Sequence, residues 1–165
     1  MSDLNYFHGG NLRVLAEKAH CSPSDLLDFS INLNPFGPPP GLFQAYFHAF
    51  DAISPYPDPH GEKLCEKLEQ TWGLESGSVL AGNGAGEILS LIPKIFSFKR
   101  AVIPVPAYLE YERVCRMEKM EILRYPLLSE NDFLLNLQAF EQILKEGDLV
   151  FLGNPCNPSG RCIKA

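Results

Sequence analysis

The stretch Val79-Leu80-Ala81-Gly82-Asn83-Gly84-Ala85-Gly86-Glu87-Ile88-Leu89-Ser90-Leu91-Ile92 decides how the chain is read. A short apolar run, Val79–Ala81, stops at Gly82, Gly84 and Gly86, and an apolar segment with Ile88, Leu89, Leu91, Ile92, Ile95 and Phe96 follows. That order predicts a strand, a glycine turn and a buried helix. The first turn of a helix carries backbone N–H groups without intrahelical partners and a partial positive charge, which together suit an anion. Glycines let a phosphate approach those donors because no Cβ intervenes. The same letters also suit a turn that merely joins a strand to a helix, and a glycine pattern taken alone does not choose between the two.

Downstream of this stretch, strand-like and helix-like segments alternate. Strands are expected at Val79–Ala81, Ala101–Val105, Ile122–Tyr125 and Leu149–Leu152, with helices at Gly86–Phe96, Tyr108–Glu118 and Asn136–Glu146. In the last helix Leu137, Phe140, Ile143 and Leu144 form the expected buried stripe, and Pro93 should kink or end the first. The alternation predicts an α/β fold built on the first part of a doubly wound, mostly parallel sheet. The last strand is followed by a turn and no closing helix, so the sheet is expected to be truncated with an open edge.

Upstream the texture differs. Asn11–Ala19 has helical spacing and is preceded by His8-Gly9-Gly10, where two glycines leave the backbone free to wrap a ligand. Ser22-Pro23 predicts an N-cap with proline in the first turn of a short helix. Asp28–Pro40 alternates polar and apolar residues and runs into a proline-rich arm fit for neither a helix nor a central strand. Gly41–Phe50 is expected to be helical, Ser54–Pro59 breaks the chain again, and Gly61–Trp72 predicts an amphipathic helix with Leu64, Cys65, Leu68 and Trp72 on one face and Gly73 as its C-cap. The expected division is an N-terminal arm and small-domain segment over 1–60 and a large-domain part over 61–165.

With 165 residues, 45% hydrophobic and 21% charged, the composition is that of a globular protein. A net charge of -6 argues against non-specific binding to nucleic acid or an anionic membrane. No apolar run approaches the roughly 20 residues of a membrane span. The start lacks the basic and apolar regions of a signal peptide, so a cytoplasmic location is expected. Cys21, Cys65, Cys115, Cys156 and Cys162 are scattered without metal-ligand spacing, so neither a metal site nor a disulfide framework is expected.

Ligands in α/β sheets bind beyond the carboxyl ends of the strands. Gly82–Glu87, Pro106-Ala107-Tyr108 and Asn154-Pro155-Cys156-Asn157-Pro158-Ser159-Gly160 all fall at such ends. Tyr108 offers a flat ring for stacking, or else simply caps the core at a helix start. Asn157, between two prolines, offers an amide in a stiff turn, or else is an ordinary Asn-Pro turn. An anion cradle, an aromatic plate and an amide on one rim suit a flat phosphorylated cofactor.

In the order G-N-G-A-G-E, V-P-A-Y and N-P-C-N-P-S-G the chain resembles the fold-type I pyridoxal-phosphate enzymes of the class I/II aminotransferase group. Within that group, H-G-G-N, L-L-D-F-S-I-N-L-N-P-F-G-P-P and Y-P-D-P are most similar to the threonine-phosphate decarboxylase branch of cobalamin biosynthesis. Histidinol-phosphate aminotransferase is the alternative branch, and a catalytically inactive fragment of either is a further one. The resemblance implies pyridoxal 5′-phosphate as cofactor, with its phosphate held by the backbone of Gly84, Ala85 and Gly86. It implies Tyr108 stacked on the pyridine ring, Asn157 at the 3′-oxygen and near the substrate carboxylate, and Tyr56 reaching the phosphate of a neighbouring subunit in a homodimer. His8, Gly9 and Asn32 would face the phosphate or carboxylate of a phosphorylated amino-acid substrate. Gly86 stands where relatives often carry a side chain that can bond the phosphate, and Ser159 replaces the usual threonine. No lysine present stands in the setting of the family's Schiff-base lysine, so no catalytic residue is assigned and the chain alone is expected to be inactive.

Overall fold

Ala101, Val102 and Ile103 are completely buried, and the architecture follows from how they come to be so. A computed structural model describes residues 10–163. The chain divides into two units, Met1–Gly61 and Glu62–Ala165.

The second unit holds the sheet. Its elements are α3 (Glu62–Trp72), α4 (Ala85–Ile95), β1 (Arg100–Val105), α5 (Leu109–Met117), β2 (Glu121–Pro126), α6 (Leu137–Glu141) and β3 (Leu149–Val150). The strand order is β2-β1-β3, and both pairings are parallel. Parallel neighbours need a crossover, which α5 supplies between β1 and β2. As the middle strand, β1 is covered on both faces, which explains its uninterrupted apolar run. Val114 and Cys115 of α5, Met120, and Phe151 just after β3 complete the core, with Leu89 of α4 packed against it. At the end of α5, Lys119 takes a left-handed conformation (φ 55°), and the N–H groups of Lys119 and Met120 donate to the carbonyls of Arg116 and Cys115. That closure turns the chain back into β2 and buries Met120.

Ion pairs tie the strands to their surroundings. Arg100, opening β1, donates from Nε to Asp148 Oδ1 at 2.8 Å and from a terminal nitrogen to Ile143 O at 3.3 Å. The two side chains are only 14% and 6% exposed, so this pair is shielded from solvent screening. Arg124 of β2 grips Glu112 of α5 with two bonds of 2.6 Å.

Four expectations are corrected. Val79–Ala81 is not a strand: it pairs with nothing in the sheet, Leu80 is 70% exposed, and the Val79 N–H donates to the Glu69 carboxylate at 3.3 Å. A strand exists by its ladder, and a segment without a neighbour cannot form one. The helix expected over Asn136–Glu146 stops at Glu141, because Arg100 takes the Ile143 carbonyl and Asp148 takes the Lys145 N–H at 2.8 Å. Strand β3 ends at Val150, although Phe151 N–H still donates to Val102 O at 3.3 Å. α4 runs through Pro93 to Ile95. On α3, Cys65 and Leu68 are half-buried while Leu64 and Trp72 stay exposed. The helix instead buries Glu69, whose carboxylate also accepts the Gly77 N–H at 2.8 Å and so fixes the loop that leads to the glycine turn.

The first unit contains α1 (Leu12–Ala19), α2 (Leu42–His48) and two short 3-10 turns, Pro23–Asp25 and Phe50–Ile53. Asn11 caps α1 by accepting the Val14 N–H, and Ser22 and Asp25 form a reciprocal capping box around Pro23. The proline-rich arm forms neither helix nor strand.

Candidate functional site

Three turns of the second unit carry the candidate site residues, and two of them, after β1 and after β3, follow the carboxyl ends of strands. The first is the glycine turn. Gly84 caps α4 with φ 81° and ψ 164°, a conformation that needs glycine. It offers no side-chain cap, and the N–H groups of Ala85 and Gly86 donate to no atom of the described residues. A Cβ placed on Gly84 or on Gly86 would meet nothing within 4 Å, so the turn is uncrowded at both glycines. Open helical donors in an uncrowded turn fit a phosphate group.

The second turn carries Tyr108, which caps α5. Its ring lies edge-on to Tyr111 at 5.7 Å, and Tyr111 stacks on Phe151 at 4.9 Å and 19°. Tyr108 is therefore half-buried, braced from below, and α5 itself packs against α4. Burial pushes the Tyr111 hydroxyl above the ordinary tyrosine value, so it stays neutral and acts as a wall.

Asn157 stands in the third turn, exposed, between Pro155 and Pro158. The turn is closed by Cys156 N–H to Arg161 O at 2.8 Å and Gly160 N–H to Cys156 O at 2.6 Å. Asn154 accepts the Ile163 N–H at 3.0 Å, and the Cys156 thiol donates to Pro106 O at 3.6 Å, which links the third turn to the second. Asn157, Cys156, Ala107 and Tyr111 line one apolar groove, joined there by Arg161, which is paired with Asp132. The glycine turn is not part of that groove.

Of the remaining residues, Tyr56 and Asn32 belong to the first unit, and both are exposed. His8 and Gly9 lie outside the described residues. In the same arm, Asp28 accepts the Ser30 N–H and hydroxyl at 2.8 and 2.5 Å, which holds its carboxyl below the usual range. Ser30 in turn accepts the Gly10 N–H at 2.8 Å. The pattern of the sequence missed Tyr111 and Asp28. Tyr111 had a signal, since it follows Tyr108 by three positions on a helix; Asp28 had none beyond an Asx-turn spacing.

Comparison with known proteins gives this geometry its class. The profile of the family described as aminotransferase class I and II matches residues 24–165, so the chain belongs to that family. The family consists of pyridoxal-phosphate-dependent enzymes. The chain is 36% identical over 157 residues to the adenosylcobalamin biosynthesis bifunctional protein CobDQ of Leptospira interrogans, covering 93% of this chain and 18% of that protein. It is 34% identical over 160 residues to the threonine-phosphate decarboxylase of Salmonella typhimurium, covering 97% of this chain and 44% of the relative. Among solved structures, the histidinol-phosphate aminotransferase of Clostridium acetobutylicum superposes with a TM-score of 0.71 at 29% identity, over 81% of this chain and 39% of that one. The chain thus spans less than half the length of these relatives.

Proposed function

We propose that these residues are the N-terminal portion of a cytoplasmic pyridoxal-phosphate enzyme that acts on a phosphorylated amino acid, of the threonine-phosphate decarboxylase type in cobalamin biosynthesis. The observation that carries the reading is the 34% identity to a threonine-phosphate decarboxylase over 97% of the chain, against 27% over 96% for a histidinol-phosphate aminotransferase. The open Ala85 and Gly86 donors support the cofactor, because they offer a dianionic phosphate the charge-assisted bonds it needs. Tyr108 would stack on the cofactor ring, and the Asn157 amide would bond its 3′-oxygen near the substrate carboxylate. His8, Gly9 and Asn32 would serve the substrate's phosphate or carboxylate, and Tyr56 would serve the cofactor phosphate of the other subunit in a homodimer. Bound pyridoxal phosphate supplies an electron sink for the charge left at Cα when a bond there breaks. The histidinol-phosphate aminotransferase reading is favoured by one finding: its TM-score of 0.71 exceeds the 0.61 of the threonine-phosphate decarboxylase of Porphyromonas gingivalis.

The gene's longest product should release CO₂ from threonine O-3-phosphate without needing 2-oxoglutarate. Turnover of histidinol phosphate with 2-oxoglutarate, and none of threonine phosphate, would transfer the assignment to the second reading. No lysine of these 165 residues stands in the setting of the family's Schiff-base lysine, so the chain alone should turn nothing over. Adding pyridoxal phosphate and then borohydride should leave no adduct concentrated at a single lysine, and one such adduct sinks the claim.

A further inference from the structure

Glu87 has no part in the reading above, yet it is the side chain that closes the glycine turn. Its Oε2 accepts the Asn83 N–H at 2.6 Å. Within the same turn Gly84 N–H donates to Gly82 O at 2.8 Å, and Glu87's own N–H donates to Gly84 O at 3.3 Å. A Cβ on Gly82 would stand 3.1 Å from that carboxylate oxygen and 2.6 Å from Ile88 Cδ1, so the turn and the side chain are fitted to each other. The donors of the turn are therefore partitioned. The protein's own carboxylate consumes Asn83, and Ala85 and Gly86 are left open to a ligand. A carboxylate in the first helical turn is also favoured by the helix dipole, so it costs α4 nothing to hold it there.

We infer that Glu87 is a positioning residue of the phosphate cup: through Asn83 it holds residues 82–84 so that the Ala85 and Gly86 N–H groups stay open to a phosphate. The inference rests on the cofactor reading above and concerns a side chain that touches the turn, not the cofactor. If Glu87 served only to start α4, its loss would lower stability without touching phosphate recognition in particular.

The difference can be measured without catalysis. Pyridoxine 5′-phosphate and pyridoxine both lack the aldehyde that reacts with lysines, and the ratio of their affinities isolates the phosphate's share. Calorimetric titration of the unaltered chain should show tighter binding of the phosphorylated form. Glu87→Ala should reduce that preference roughly 10-fold, the size expected for one charge-assisted hydrogen bond, with pyridoxine affinity unchanged. Glu87→Gln keeps an acceptor oxygen and should stay within about 3-fold of the original ratio. Should Glu87→Ala fail to fold, Gly82→Ala crowds the same oxygen and should lower the ratio in its place. An unchanged ratio in the folded Ala variant, or an equal loss in Glu87→Gln, overturns the positioning role. No preference for the phosphorylated ligand in the unaltered chain overturns the cofactor reading itself.

Discussion

The two units of this chain use apolar residues in opposite ways. In the second, β1 and α5 bury Ala101, Val102, Ile103, Val114 and Cys115 almost completely. In the first, Ala16 is the only buried apolar residue among those described, while Phe29, Phe36, Leu33 and Tyr56 are largely or fully exposed. The difference is one of pairing. A parallel strand between two others, with a helix across it, covers its own side chains. A proline-rich arm cannot form a ladder and leaves its aromatic rings uncovered. Composition alone does not separate them, since both regions are apolar; the positions of proline do.

The sharpest way to break the comparison is to cut into the buried side. Ile103→Ala removes a fully buried side chain from the middle strand and should cost about 2–5 kcal/mol in urea unfolding. A cost no larger than that of trimming an exposed arm residue would mean that the sheet is not the stable part of the chain.

A smaller effect should come from the Arg100–Asp148 pair, and its size should depend on pH. The hydrogen bond from Arg100 holds the Asp148 carboxyl below its ordinary value of 3.8, so the folded state prefers the ionised form. That stabilisation is present above the ordinary carboxylate value and is lost as pH falls through the depressed one. Arg100→Ala should therefore lower the melting temperature clearly at pH 7 and progressively less as pH falls below 3.8 and through the depressed value. A loss that does not change with pH would assign Arg100's contribution to packing and its bond to Ile143 O, not to the ion pair.

The parts of the fold legible in the sequence were those whose cause is local. The β1–α5–β2 unit follows from apolar runs, helical spacing and breakers that each lie within the element they shape. Tyr108 at the start of α5 and Asn157 in the turn after β3 follow from the same order. What escaped was set by distant partners. Val79–Ala81 looks like a strand, but only a neighbour could make it one, and Glu69 takes one of its donors instead. The end of α6 is decided by Arg100, 43 positions away from the carbonyl it binds. Nothing in the spacing around Glu69 announces that its carboxylate accepts the N–H groups of Gly77 and Val79 in the following loop.

Thiol chemistry separates the units and the core by reactivity with little effect on stability. Cys115 is fully buried and its thiol is pushed up to about 11 by burial, whereas Cys21 and Cys162 are exposed. A neutral aromatic disulfide reagent should modify Cys21 and Cys162 within the native chain and reach Cys115 only on unfolding. Because the raised value favours the neutral thiol in the folded state, stability should hold below the ordinary value of 9.0 and decline between there and about 11. Rapid native labelling of Cys115 would show that β1 and α5 part easily.

The smallest effect tests the exposed side. Phe36 is 92% exposed, so Phe36→Ser removes no buried area from the chain and should change the unfolding free energy by less than about 0.5 kcal/mol. Trimming a ring that is covered in solution would cost several times more, because its burial would then be lost. The comparison between the units turns on that number. A negligible change at dilute concentration means the arm's rings face water and contribute to folding nothing that Ile103 contributes. A cost above about 1 kcal/mol that grows with protein concentration would mean a second copy covers the arm, by the mass-action link between association and stability.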